Sequence, residues 1–244
     1  MQYVINADDY GRDKETSKAI VKAFNLRLIN RTTVMVNMDY FDEAYNDSIN
    51  NGFSAFVGLH LNLTTGWPLT ERIKHINLFC DESGRFNGKL MHNAFNRLMP
   101  LSGEAKEAVY EEIEAQFRKY IAYYGNQGST YHMDSHHHVH KNLSILPICL
   151  KMVKKYNFQS IRFAKTTGSF VNCCYNKLVN KAIIGATGQT YYHLFDSVKD
   201  FIMRGQSIGL NDYYEVECHP REKNGVLYDG EEKMISLDCY GRTD

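Results

Sequence analysis

The sequence predicts an α/β fold in which strands alternate with helices around a mostly parallel, barrel-like sheet. The chain has 244 residues, of which 43% are hydrophobic and 23% charged. That length suits one packed domain spanning 1–244 and is short for two domains of ordinary size. Short β-type runs alternate along the chain with segments of helical periodicity. Such alternation predicts parallel strands, with the ligand site at their carboxyl ends.

The first part of the chain is predicted to hold three strands and two helices. The opening β-type run stops where Asp and Gly residues indicate a loop. Apolar residues at helical spacing indicate the first helix, and β-branched residues indicate the second strand. In order, the predicted elements are a strand at 2–6, a helix at 14–30, a strand at 32–37, a helix at 40–50 and a strand at 53–63.

An irregular stretch at about 64–101, with several Gly and Pro residues, is predicted to be a lid or insertion. The clearest helix follows at 104–124, where apolar residues recur every fourth position and Gly125 provides a stop. The remaining predicted elements are a strand at 130–135, a helix at 143–156, a strand at 160–163, a stretch with helical content at 165–205 and a last strand at 213–218.

Charge and hydropathy exclude several classes of protein. Lys plus Arg equals Asp plus Glu at 28 each, so no global charge attracts nucleic acid or an anionic membrane. No run approaches the ~20 apolar residues of a membrane span, and the amino terminus lacks the layout of a signal peptide. A cytoplasmic location is therefore expected. The six cysteines show no CxxC spacing and are expected to be reduced.

Five of the ten histidines lie in the nine residues 132–140, directly after a predicted strand. Neutral imidazole is the commonest ligand of catalytic divalent ions, so this cluster predicts a metal site. A histidine tag or an adventitious surface loop is the alternative, against which the internal position and the interruption by Asp134 and Ser135 argue. Because a catalytic site keeps about three protein ligands, the other histidines and Asp134 are expected to orient ligands or contact substrate.

Further polar residues fall at the ends of other predicted strands, namely Asp8, Asp9, His60, Arg162 and His219. Adjacent carboxylates at a strand end point in different directions, so one can bind a metal while its neighbour serves as a base. Taken singly, the Asp pair is more typical of a turn or helix cap, and His60 of a hydrogen-bonded core residue. Arg162 alone is equally typical of a surface or salt-bridging arginine. Together they predict one site.

Four segments of the sequence together resemble the YdjC-like carbohydrate deacetylases, which include chitooligosaccharide deacetylases. The segments are INADDYG at 5–11, GLHLNLT at 58–64 with Gly66 and PLT at 68–70, HMDSHHHVH at 132–140 and ECHP at 217–220. They occur in the family's order and cover most of the chain. The resemblance implies a distorted (β/α) barrel related to the polysaccharide deacetylases, often assembled as a homodimer.

The resemblance also implies an activity, which is metal-dependent removal of an N-acetyl group from a small N-acetylated sugar such as diacetylchitobiose. It implies one divalent ion, and an Asp-His-His set accepts Mg²⁺, Zn²⁺, Mn²⁺ or Co²⁺. The implied metal ligands are Asp9, His60 and His136. Asp8 resembles the general base, His219 the general acid, and Arg162 the arginine that holds Asp8 in place.

Two other functions stay open at this point. A metal phosphoesterase on a barrel also uses Asp and His at strand ends, and its two or three ions need more ligands, which His132, His138 and His140 would supply. One ion per chain favours the deacetylase and two or more the phosphoesterase. A sugar-binding homologue without catalysis is the third reading, against which the presence of Asp8 and His219 argues.

The family pattern does not explain three features of the sequence. Arg221 follows Pro220 where the family commonly has a small residue and then a longer carboxyl-terminal region. The stretch 78–101 matches nothing in the pattern, so the length of the sugar does not transfer. Trp67, the single tryptophan, follows the third predicted strand. It is interpreted either as a platform for a sugar ring or as core packing.

Overall fold

A computed structural model of the protein describes residues 2–90, 98–127, 131–165, 170–189, 194–204, 213–231 and 235–237. Its main sheet consists of β1 (Gln2–Tyr10), β2 (Arg31–Val34), β3 (Val57–Leu61), β4 (His132–Ser135), β5 (Ser160–Ile161), β6 (Leu194–Ser197) and β7 (Tyr213–Cys218). These seven strands pair in the order β5-β4-β3-β2-β1-β7-β6. Every pairing is parallel. The predicted α/β class with a parallel, barrel-like sheet is therefore confirmed.

Helices connect the strands, as parallel pairing requires. They are α1 (Lys14–Asn25), α2 (Phe41–Asn50), α3 (Glu71–Lys74), α4 (Gly103–Tyr124), α5 (Leu146–Lys155), α6 (Phe170–Thr187) and α7 (Val198–Arg204), with 3₁₀ turns at Ser54–Phe56 and His136–Lys141. An antiparallel hairpin of β8 (Pro220–Lys223) and β9 (Val226–Asp229) follows β7. The stretch at 165–205, which the sequence left unassigned, contains α6, β6 and α7.

Local chemistry explains where the two best predicted helices begin. The side chain of Asp13 accepts a hydrogen bond from the backbone N–H of Thr16 at the start of α1, and Ser102 does the same for Ala105 at the start of α4. On α4 the apolar side chains at steps of three and four are buried against the sheet. Both helices therefore begin within one residue of the predicted position.

Several predicted boundaries differ from the structure; the second strand, for example, ends at Val34 and not at residue 37. The first strand extends through Tyr10 instead of stopping at Asn6, so Asp8 and Asp9 lie within β1. The first helix ends at Asn25 and not at residue 30, because Leu28 and Ile29 turn into the core. The third strand is only Val57–Leu61, since a 3₁₀ turn precedes it.

In the described residues no helix combines the length and the apolar character needed to cross a membrane. Cys80, Cys149 and Cys174 carry free thiols, as expected. Cys239 lies outside the described residues.

Gly58 marks a close approach between β3 and its neighbours. A methyl group there would lie 2.7 Å from the carbonyl oxygen of His132 and 3.0 Å from the side chain of Thr33. We therefore expect Gly58→Ala to lower the free energy of unfolding by roughly 1–3 kcal/mol, as overpacking does elsewhere, measured by urea denaturation. Gly103→Ala is the control, because no atom of the residues that the structure describes lies within 4 Å of the added methyl at the start of α4. Coincident curves for Gly58→Ala and wild type would contradict the expected clash.

Candidate active site

The polar residues singled out in the sequence meet at the carboxyl edge of the sheet. Asp8 and Asp9 lie at the end of β1, His60 near the end of β3, and His136 directly after β4. The site is completed by Arg162 just after β5 and His219 just after β7. The structure thus brings together all six residues that the sequence nominated, from five different strands or strand ends.

A backbone irregularity separates the two adjacent aspartates. Asp9 has a φ of 70°, and the pairing of β1 with β2 shifts register between Ala7 and Tyr10. Aspartate adopts this left-handed conformation more readily than most residues. Asp8 and Asp9 consequently have different partners: Asp8 contacts Arg162, whereas Asp9 faces two histidine rings.

One oxygen of Asp9 is the point on which the two histidine rings converge. Asp9 Oδ1 lies 3.3 Å from His60 Nε2 and 3.7 Å from His136 Nε2. The other oxygen, Oδ2, accepts a hydrogen bond of 2.5 Å from Arg12 Nη1. Asp9 Oδ1 and His60 Nε2 are both buried, and neither has a hydrogen-bond partner among the described residues. Buried polar atoms are nearly always satisfied, so this pair fits a bound cation that would satisfy both atoms.

The second nitrogen of each ring is engaged, which fixes the orientation of the first. His60 Nδ1 lies 2.6 Å from Asp134 Oδ1, and His136 Nδ1 lies 2.6 Å from the hydroxyl of Thr64. Hydrogen bonds of this kind orient metal-binding histidines. The arrangement leaves Nε2 of both rings directed at Asp9.

The electrostatics at this point favour positive charge. Burial alone would lower the pKa of His60, but Asp134, Asp9 and Asp8 raise it to about 10. The same negative charges would attract a divalent cation, which would displace the proton from His60. Burial lowers the pKa of His136 to about 3, so its ring is neutral near pH 7 and free to act as a ligand.

Arg162 is the centre of a buried charge network. Its guanidinium binds Asp8 through two hydrogen bonds of 2.6 and 2.7 Å, and its Nη2 lies 2.7 Å from Asp134 Oδ2. Its Nε donates to Glu215 at 2.7 Å, and its Nη1 lies 3.3 Å from Glu217 Oε2. The Arg162 side chain is fully buried. One cation thus contacts four carboxylates, and buried charges require such pairing.

Two sets of buried side chains have ligand atoms within 4.8 Å of one another and could hold a metal ion. The first set is Asp8, His60 and Asp134, and the second is His132, Asp134 and Glu215. In both sets the carboxylates already bind Arg162. Glu215 also lies 2.8 Å from Arg31. These positive charges oppose a cation at either set. Asp9 also contacts an arginine, Arg12, but through Oδ2, so its Oδ1 still faces His60 Nε2 and His136 Nε2.

His219 lies at the rim of the site, with its side chain 13% exposed. Its backbone N–H donates to Asp229 Oδ2 at 2.8 Å, which ties the residue to the β8–β9 hairpin. Burial would lower the pKa of His219, but the surrounding carboxylates, among them Asp8 and Asp9, raise it. The ring therefore holds a proton more firmly than an ordinary histidine.

Three further histidines of the cluster have other partners than Asp9. His132 Nδ1 lies 2.7 Å from the Ser160 hydroxyl. His140 is buried between the Ser135 hydroxyl and the carbonyl oxygen of Arg162. His138 Nε2 lies 3.5 Å from Glu217 Oε2. Among His132, His136, His138 and His140, it is therefore His136 that approaches Asp9.

Sequence reasoning missed the two glutamates of β7 and the arginine of β2. Glu215 and Glu217 flank Val216 in a strand whose side chains are almost all buried. Carboxylates in a strand that is covered on both faces need a buried cation as partner. Two glutamates inside a predicted buried strand could therefore have indicated such a cation from the sequence. Arg31 carried no such signal, because its contact with Glu215 depends on strand order.

A protein-family model described as YdjC-like protein matches residues 2–224. The chain belongs to the YdjC-like family. The family expected from the four sequence segments is therefore confirmed, and the match covers every residue of the site described above.

Relatives of this YdjC-like chain carry the name carbohydrate deacetylase, which denotes a hydrolase. One from Brevibacillus brevis is 34% identical over 222 residues, covering 90% of this chain and 81% of the relative. One from Clostridium beijerinckii is 28% identical over 242 residues, covering 98% and 86%. A crystal structure from Enterococcus faecalis V583, of a protein named as a candidate for cellobiose-phosphate cleavage, has a TM-score of 0.67 at 25% identity and covers 91% of this chain and 82% of that one.

Proposed function

We propose that the protein is a metal-dependent hydrolase that removes an N-acetyl group from a small N-acetylated sugar and releases acetate. The observation that carries the proposal is the convergence of His60 Nε2 and His136 Nε2 on the unsatisfied Oδ1 of Asp9. The names of its relatives supply the carbohydrate and the acetyl group. The proposed ligands of one divalent ion, Mg²⁺ or Zn²⁺, are Asp9, His60 and His136.

A divalent ion, when bound, polarises the acetyl carbonyl and makes water more acidic. Asp8 is the proposed base that takes the proton from the attacking water. A carboxylate oxygen has about two acceptor sites. Asp8 Oδ1 receives Asn6 Nδ2 and Arg162 Nη2, whereas Oδ2 receives Arg162 Nη1 alone, so Oδ2 keeps a site for a proton. Burial, opposed by Arg162, raises the pKa of Asp8 and makes it a better base.

His219 is the proposed acid that protonates the departing sugar amine. The carboxylates around it keep its ring protonated, in spite of its burial. Asp8 and His219 thus enter the reaction in opposite protonation states, one ready to accept a proton and the other ready to donate one. Arg162 contacts neither water nor substrate in this scheme and acts by positioning Asp8.

Acetate release tests the proposal. Metal-stripped protein should release acetate from N,N'-diacetylchitobiose only after Mg²⁺, Zn²⁺, Mn²⁺ or Co²⁺ is restored. His136→Ala should bind the activating ion at least about tenfold more weakly, since perturbing a metal site costs on the order of 10- to 100-fold in affinity. His75→Ala is the matched control, because the His75 side chain is 75% exposed on the surface. Acetate release without metal, or equal metal affinity in the wild type, His136→Ala and His75→Ala, would contradict the proposal.

The number of bound ions tests the phosphoesterase alternative. A second ion would need a second set of ligands, and the buried set of His132, Asp134 and Glu215 is already compensated by Arg31 and Arg162. We therefore expect one ion per chain by elemental analysis of the loaded protein. Two ions per chain, together with hydrolysis of a phosphoester, would favour the alternative.

The segment at about 64–101 is proposed to cover the sugar as a lid. Part of it is anchored to α4, because Glu112 accepts hydrogen bonds from the backbone N–H groups of Leu69 and Thr70. Its residues 91–97 lie outside the described residues. A single domain over 1–244, a homodimer and a cytoplasmic location stay predictions.

A further inference from the structure

Trp67 lies in the loop between β3 and α3, beyond the carboxyl end of the strand that carries His60. Loops at this end of parallel strands surround the ligand site in barrel folds. Thr64, in the same loop, contacts His136 Nδ1 at 2.6 Å. The three residues from Thr64 to Trp67 span at most about 10 Å. Trp67 therefore lies three residues along the chain from a residue that contacts a proposed metal ligand, in the loop that follows the His60 strand.

The loop holds Trp67 firmly on both sides. The carbonyl oxygen of Trp67 accepts a hydrogen bond of 2.9 Å from Asn37 Nδ2, and that of Gly66 accepts one of 3.1 Å from the backbone N–H of Phe86. Glu112 anchors the residues that follow. An aromatic side chain on a fixed backbone loses little conformational entropy when a ligand binds.

The Trp67 side chain is not part of the core. The residue is 43% exposed, which decides between the two interpretations that the sequence left open. The guanidinium of Arg85 lies 5.4 Å from the ring centroid and backs the indole. The negative face of an aromatic ring attracts partially positive hydrogens, and the C–H groups on one face of a pyranose ring supply them.

We propose that Trp67 is a specificity-determining residue, on which a pyranose ring next to the reacting N-acetyl sugar stacks. The inference rests on the proposed function, because it assumes a carbohydrate substrate longer than one unit. It assigns Trp67 to binding and gives it no part in the proton transfers. The enzyme then favours a disaccharide over a monosaccharide at the level of KM.

Tryptophan fluorescence tests this directly, because the chain contains one tryptophan and its emission reports on Trp67 alone. The full-length, metal-loaded protein is titrated with chitobiose, which has no acetyl group to lose. We expect a saturating change in emission with chitobiose and none with sorbitol at equal concentration. Chitobiose binding seen by calorimetry without a change in emission would overturn the inference. The absence of binding by either method would overturn it too.

The two proposals fail in distinguishable ways. A saturating change in emission without acetate release from N,N'-diacetylchitobiose would leave the Trp67 platform standing and remove the deacetylase activity. Acetate release with a wild-type KM in Trp67→Ala would remove the Trp67 platform and leave the deacetylase activity standing.

Kinetics with two substrates separate stacking from a merely structural effect. Trp67→Ala should raise KM for N,N'-diacetylchitobiose roughly fivefold, the order of an aromatic contact, with kcat and the KM for N-acetylglucosamine unchanged. Trp67→Phe should recover most of the loss. Phe56→Ala is the control, because Phe56 is 49% exposed and precedes β3 at the opposite edge of the sheet. An equal rise in KM for both sugars would contradict stacking on a second ring.

Discussion

Replacing Asp8 by asparagine is expected to lower kcat for acetate release from N,N'-diacetylchitobiose by about 10²- to 10⁴-fold, the range that general acid-base assistance contributes. Asparagine keeps the size of the side chain, but its amide does not take up a proton from water. The fold should survive the change, because Arg162 keeps Asp134, Glu215 and Glu217 as partners. The loss should therefore appear in kcat and leave the metal content unchanged.

The matched control is Asp39→Asn, which makes the same chemical change on an exposed aspartate outside the site. It should retain the wild-type kcat. Metal content and thermal stability are measured for both variants, so that a damaged site is not mistaken for a missing base. If Asp8→Asn holds the metal and keeps the wild-type kcat, another group accepts the proton.

The fold class was predictable because periodicity reports which side chains are buried. The ends of the strands were not predictable, because local side-chain hydrogen bonds compete with the hydrogen bonds between strands. Asn62 is an example: its Oδ1 accepts hydrogen bonds from the backbone N–H groups of Thr64 and Thr65, which turns the chain after Leu61. The apolar alternation predicts a strand that continues to residue 63, because Leu63 keeps the alternation.

The neighbourhood of the site was predictable because the carboxyl ends of parallel strands meet at one edge. Its internal contacts were not. Arg162 and Asp8 are 154 positions apart in the sequence, and their contact depends on the order β5-β4-β3-β2-β1-β7-β6. Register matters equally, since Asn6 pairs with Glu217 across β1 and β7. Neither order nor register is written in the local periodicity of one sequence.

The largest effect on stability is expected from Arg162→Met. The substitution leaves Asp8, Asp134, Glu215 and Glu217 buried without the cation that contacts all four. Breaking a buried charge pair by removing one partner costs about 3–5 kcal/mol, so the free energy of unfolding at pH 7 should fall by about that amount in urea denaturation. Arg162→Lys should be intermediate, since one ammonium cannot reproduce the bidentate contact.

The pH dependence of this loss distinguishes charge from packing. Against the effect of burial, Arg162 holds the pKa of Asp134 below its ordinary value, and Arg31 and Arg162 do the same for Glu215. Stability from a lowered carboxyl pKa is present above the ordinary value and is lost as the pH falls. The wild-type advantage over Arg162→Met should therefore be full at pH 7 and shrink below about pH 4.

Arg72→Met is the control for this experiment, because Arg72 is 45% exposed and pairs with Glu107 and Glu111 at the surface. Exposed pairs contribute about 0–1 kcal/mol, so its free energy of unfolding should stay near the wild-type value at every pH. An Arg162→Met loss that is small, or that does not shrink as the pH is lowered from 7 to well below 4, would mean that the four carboxylates do not depend on Arg162 for compensation. Asp8 would then owe its position to the β1 backbone and Asn6, and the Arg162 contact would be dispensable for holding the proposed base.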